Sequence, residues 1–115
     1  MTHARLRLGA SGERRTARWY ADRGYQVLAR NWRGRGGELD LVVRLGTLVA
    51  FCEVKTRSTA AFGSPALAVG PLKQERLRRL AAEFLRLHPQ PEVDDLRFDV
   101  AAVVGADVEV IEAAF

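Results

Sequence analysis

The sequence predicts an α/β domain, a central mixed sheet flanked by helices, and three features carry that expectation. Apolar residues recur at helical spacing in two segments, 11–23 and 65–87. Alternating or continuously apolar runs, rich in valine and leucine, fall between and after them. The resulting order, helix, three strands, helix, two strands, is that of a layered α/β architecture.

In the first helix, Glu13, Ala17, Tyr20 and Ala21 fall on one stripe, Arg14, Arg15, Arg18 and Asp22 mostly elsewhere, and Gly24 is placed to cap the end. Residues 25–30 are β-favourable, and the glycines of 34–37 supply a flexible loop. Strands at 38–45 and 47–56 follow, joined by a tight turn at Leu45-Gly46. Residues 47–52 are apolar on both alternating faces, which predicts a central strand covered on both sides. A loop at 59–65 leads to the helix 65–87, with Leu77, Leu80, Ala81, Phe84 and Leu85 inward, ended by Pro89 and Pro91. Strands at 97–104 and 108–113 complete the chain.

The 115 residues suit one domain, with a core over about 9–113. Hydrophobic content of 48% with 28% charged residues excludes a disordered chain. Cys52, the single cysteine, lies in an apolar run without a disulfide partner, which points to a reducing compartment. The longest apolar run, 48–52, is too short to span a membrane and the N-terminus has no signal-peptide pattern, so the expected location is the cytoplasm, with no membrane association. A net charge of +4 fits an anionic partner without demanding one. Sixteen of the eighteen basic residues are arginine, so Lys55 and Lys73 mark positions where a compact, titratable ammonium is wanted.

The chemistry concentrates around the predicted hairpin. Period-two alternation puts Glu38 with Asp40, and Glu53 with Lys55. If Leu45-Gly46 is a two-residue turn, Arg44 pairs with Thr47, Asp40 lies opposite Phe51, and Glu38 opposite Glu53. All four polar groups then share a face, and the other face is Leu39, Leu41, Val43, Leu48, Ala50, Cys52 and Val54. Carboxylates gathered in an apolar setting need a counter-charge, and oxygen ligands suit Mg²⁺ or Mn²⁺. Asp40 and Glu53 are the expected ligands, with Glu13 reaching in from the helix and Glu38 either a ligand or a supporting group paired with Arg57. Lys55 is placed to stabilise an attacking hydroxide or a pentavalent transition state. Arg30, Arg33 and Arg35, with Trp32 among them, line the approach, and Lys73 is a candidate contact to a phosphate backbone. Asp99, between Phe98 and Val100, reads as a hydrogen-bonding strand residue.

These blocks carry a resemblance. Gly12-Glu13, Arg30-Asn31-Trp32-Arg33, Gly37-Glu38-Leu39-Asp40-Leu41, the run from Phe51 through Glu53 and Lys55 to Arg57, Phe62-Gly63-Ser64-Pro65 and Arg97-Phe98-Asp99-Val100 resemble the YraN-like family of small bacterial proteins, over residues of about 9–104. That family is assigned to the PD-(D/E)XK nuclease superfamily and is similar in layout to archaeal Holliday-junction resolvases. The resemblance implies a restriction-endonuclease-like fold, with Asp40, Glu53 and Lys55 at the signature positions and Glu13 as the helical glutamate. The residue after that glutamate, often acidic in the family, is Arg14 here.

The expected function is therefore a Mg²⁺- or Mn²⁺-dependent endonuclease-type protein acting on structured or branched DNA. The alternative is a non-catalytic module that keeps the nuclease fold to bind nucleic acid or recruit a partner. A homodimer is a third expectation.

Overall fold

The computed structural model describes residues 3–57 and 69–115, with side chains from residue 11 onward. The order of elements is the expected one: α1 (His3–Ala21), β1 (Gln26–Gly34), β2 (Gly37–Leu45), β3 (Leu48–Arg57), α2 (Pro71–Leu87), β4 (Asp95–Val104) and β5 (Asp107–Ile111). The strands form one mixed sheet in chain order, antiparallel except for the parallel pair β3–β4 that α2 connects. Five strands and two helices in this arrangement are consistent with a restriction-endonuclease-like fold.

Alternation on the central strands divides the core in two. Leu41, Val43, Ala50 and Cys52 pack with Ala17 and Tyr20 of α1. Val42, Val49 and Phe51 pack with Leu77, Leu80, Ala81 and Phe84 of α2. The helices therefore cover opposite faces, and β3 is buried on both sides, as its unbroken apolar run predicts.

Several boundaries differ from the sequence reading. Helix α1 starts at His3, eight residues before the expected start, and Ala21 at its end is exposed. The stretch 34–37 is not a loose loop, because β1 runs on to Gly34 and turns over Arg35-Gly36 directly into β2. Gly36 takes the left-handed conformation of the second turn position (φ +84°), which a side chain would resist. The Arg35 N–H donates to both Glu83 oxygens, at 2.7 and 3.1 Å, and so ties the hairpin tip to α2. The expected loop 59–65 and the block 62–65 lie outside the described residues, as does 65–68 of the second helix. Within the described residues that helix starts only at Pro71, because a proline disfavours α-helical geometry in the residue before it and Gly70 is extended (φ −78°, ψ 173°).

The β2–β3 turn also sits one residue later than expected. Leu45 pairs with Leu48 and Arg44 with Val49, which leaves Gly46-Thr47 as the turn, Gly46 having φ +58°. This moves the register by two residues, not one, so the side chains of the bridged stretch keep their predicted faces. The bridging ends at Leu41–Cys52, and beyond it the Asp40 carboxylate accepts the Val54 N–H at 2.8 Å. Where the ladder stops, Leu39 joins the α2 cluster, in place of its expected position beside Leu41.

Candidate metal centre

The site lies where β2 and β3 cease to bridge. Each strand delivers its residue at that point: Asp40 next to the last bridged residue of β2, and Glu53 next to that of β3. Beneath them Leu39, Phe51, Leu77 and Phe98 close around a gap of only about 10 Å³, at the lower limit of room for one water.

Carboxylate oxygens of Glu13, Glu38 and Asp40 all lie within 4.8 Å of one another. Glu13 comes from α1, with the Asn31 side chain of β1 beside it. Burial pushes Glu13 up from the ordinary carboxylate range, with Asn31 and Arg30 opposing and Glu38 and Glu53 adding to the rise. Asp40 is pushed up to about 7, first by burial and then by the Glu53 carboxylate, against the lowering effect of the Val54 N–H. Burial outweighs the nearby cations at Glu13 and Asp40, and an all-oxygen set at this spacing could hold a hard divalent cation such as Mg²⁺ or Mn²⁺.

Glu53 stands apart from that trio. Only 8% exposed, it is paired through Oε1 with Lys73 at 2.8 Å and Lys55 at 3.7 Å. Burial and the neighbouring Lys73 lower Lys55, while Lys73, although burial disfavours its charge, is raised on balance by its hydrogen bond to Glu53. Lys73, a backbone-contact candidate in the sequence, is thus turned into the site from the first turn of α2.

The remaining candidates surround this cluster. Arg30 is exposed and close enough to Glu13 to act on its charge. Arg33 pairs loosely with Glu38 at 3.4 Å, and Arg35 is exposed at the hairpin tip. Arg57 is half-buried at the end of β3. Asp99, fully buried, accepts hydrogen bonds from Tyr20 (2.6 Å), both Arg97 nitrogens (2.8 Å each) and the Ala113 N–H (3.0 Å). It ties α1 to β4 and the C-terminal segment and takes no place in the carboxylate cluster.

Asn31 is the member of the site to which sequence reasoning assigned no role. Its left-handed backbone (φ 50°) is the available signal, since asparagine enters that region more readily than other side chains. No helix among the described residues is long and apolar enough to cross a membrane.

Comparison with known proteins places this sequence in a family. The model of the uncharacterised protein family UPF0102 matches residues 12–103, which hold every site residue named above except the C-terminal Ala113. Similar relatives include UPF0102 proteins of Streptomyces griseus subsp. griseus (47% identical over 102 residues, 89% of this chain and 86% of the relative) and of Beutenbergia cavernae (52% over 97 residues, 84% and 81%). The UPF0102 protein FRAAL5785 of Frankia alni is 52% identical over 96 residues, covering 84% of this chain and 79% of its own. A match of this length, together with these relatives, makes the chain a member of the UPF0102 (YraN-like) family.

Proposed function

We propose that this chain is a metal-dependent phosphodiesterase acting on nucleic acid, with structured or branched DNA as its substrate class. One observation carries the reading: three carboxylates from α1 and β2 converge within 4.8 Å beside a buried glutamate flanked by two lysines. Repulsion among these acids opposes folding, which points to a function that uses it. Glu13, Glu38 and Asp40, with Glu53 beside them, are the residues that would hold Mg²⁺ or Mn²⁺. Such an ion, when bound, supplies a lowered water pKa and charge neutralisation at a scissile phosphate.

The chain's own groups do the rest. Lys55 and Lys73 hold positive charge where negative charge develops on phosphoryl oxygens. Asn31 orients Glu13. Arg30, Arg33, Arg35 and Arg57 offer guanidiniums to phosphates on either side of the reacting position.

The test is nicking of branched and single-stranded DNA with MgCl₂ or MnCl₂, expected for the wild type and lost in Glu53→Ala and Lys55→Ala variants whose circular dichroism matches it. Absence of cleavage on every substrate, with no divalent-ion thermal shift, would falsify the catalytic reading. A second reading has its own support, since Lys73 and Lys55 neutralise Glu53 without any added ion. In that reading the chain binds nucleic acid without turnover, and its affinity ignores Glu53→Ala but falls on charge reversal at Arg33 and Arg35.

A further inference from the structure

We infer that the outer face of α1 is a second nucleic-acid contact surface, independent of metal, in which Arg14 and Arg18 take backbone phosphates beside Trp19. The inference rests on the proposed nucleic-acid substrate but uses none of the carboxylate residues.

A cleft of about 620 Å³ opens between α1 and the β4–β5 turn, bounded by Ser11, Arg14, Arg15, Arg18, Trp19 and Arg23 on one side and 106–108 on the other. Its wall is built by Arg15, which donates to the Gly105 carbonyl and so fastens the turn to the helix. Its floor holds a cation–aromatic pair, the Arg23 guanidinium 3.7 Å from the Trp19 ring centroid, with Arg23 also donating to the Trp19 carbonyl at 2.9 Å.

Two guanidiniums are left for a ligand. Arg14 is exposed and makes no ion pair among the described residues. Arg18 is 81% exposed at its side chain, and its one ion pair among the described residues, to Asp22 at 3.3 Å, is itself exposed and worth little. Asp22 and Asp107 also border the cleft, so four arginines against two acids leave it cationic.

A nucleic-acid strand fits better than an acidic peptide because of where the helix leads. The inner face of α1 carries Glu13 into the carboxylate cluster, and Arg14 is the next residue. At 1.5 Å per residue, 14–23 covers roughly 13 Å of axis, about the rise of four phosphates on one duplex strand. A strand on this face would lie along the same helix that delivers Glu13 to the carboxylate cluster.

The experiment is fluorescence anisotropy of a labelled 20-base-pair duplex in EDTA across a NaCl series, with tryptophan emission followed in parallel. Wild type should bind with a log–log salt slope that falls by about 2 in Arg14→Ala/Arg18→Ala, with affinity at low salt down by 10-fold or more. Binding should quench emission in the wild type, and the quench should be smaller in Trp19→Phe, whose remaining Trp32 lies among the arginines of the proposed site. Failure of the wild type to bind, an unchanged slope in the double variant, or equal affinity for a polyglutamate peptide at the same salt each overturns the inference. Arginine-dependent binding without cleavage upholds this surface and rejects the catalytic reading. Glu53-dependent cleavage with an unchanged salt slope does the reverse.

Discussion

Lys73 Nζ lies 2.8 Å from Glu53 Oε1, nearer than Lys55, which stands 3.7 Å from the same oxygen although it is only two residues along the strand. An alternating strand sends Glu53 and Lys55 out in parallel, whereas Lys73 approaches the carboxylate from the first turn of a helix lying over it. Helix position thus decides which lysine holds Glu53. Lys73→Met should lower stability by about 1–3 kcal/mol, because it leaves a buried carboxylate short of its nearest donor. A denaturation cycle of Lys73→Met with Glu53→Gln should return a coupling of about 0.5–3 kcal/mol. A coupling near zero would rule out the pair as a stabilising contact.

The raised carboxylates set a pH dependence. Asp40, at about 7 in the folded chain against 3.8 unperturbed, keeps its proton in the fold over a window where the unfolded chain has lost it. Glu13 is raised in the same direction. With folding favoured by the bound proton, stability without divalent ions is greatest in mild acid and is lost as pH rises through about 7. Melting temperature in EDTA should therefore fall between pH 5 and pH 8, and Asp40→Asn should flatten that fall. An ion held in the proposed site would compete with the same protons, so Mn²⁺ should raise the melting temperature more at pH 8 than at pH 5. An ion effect that is stronger in acid contradicts this account.

Gly12 sets how close α1 comes to the sheet. A Cβ there would overlap Thr56 Oγ1 and lie 3.3 Å from Thr56 Cβ, on the turn that carries Glu13. Gly12→Ala should cost about 1–3 kcal/mol as the helix is pushed outward. Thr56→Ala in the same chain should recover most of it by removing the hydroxyl. Chemical denaturation of the two variants decides, and equal stability of Gly12→Ala and wild type would show that the contact relaxes freely.

The Tyr20–Asp99 bond joins α1 to β4 beneath the surface. Tyr20→Phe removes one of four donors to Asp99 and should cost about 1–3 kcal/mol. Asp99→Ala leaves Arg97, 16% exposed at its side chain, without its nearest acid, and should cost about 3–5 kcal/mol. Cleavage or binding measured well below the melting temperature should change less than stability does, since neither residue belongs to the carboxylate cluster.

The sequence by itself determined the order of helices and strands, the burial of β3 on both faces, and the pairing of Glu38 with Asp40 and Glu53 with Lys55 on their strands. Each of these depends on local periodicity, which survives even the misplaced turn: a two-residue slip alters the pairs but not the faces. Arginine-rich composition also singled out Lys55 and Lys73, though not the direction in which Lys73 reaches. Only the tertiary structure decided that Glu13, Glu38 and Asp40 converge while Glu53 is held by lysines, that Asn31 supports Glu13, and that Arg35 is tied to Glu83. These contacts join residues distant in the chain or depend on one departure from regular pairing at Asp40. They follow from how the helices lie on the sheet, and periodicity fixes which face a side chain takes but not how far along that face a helix is set.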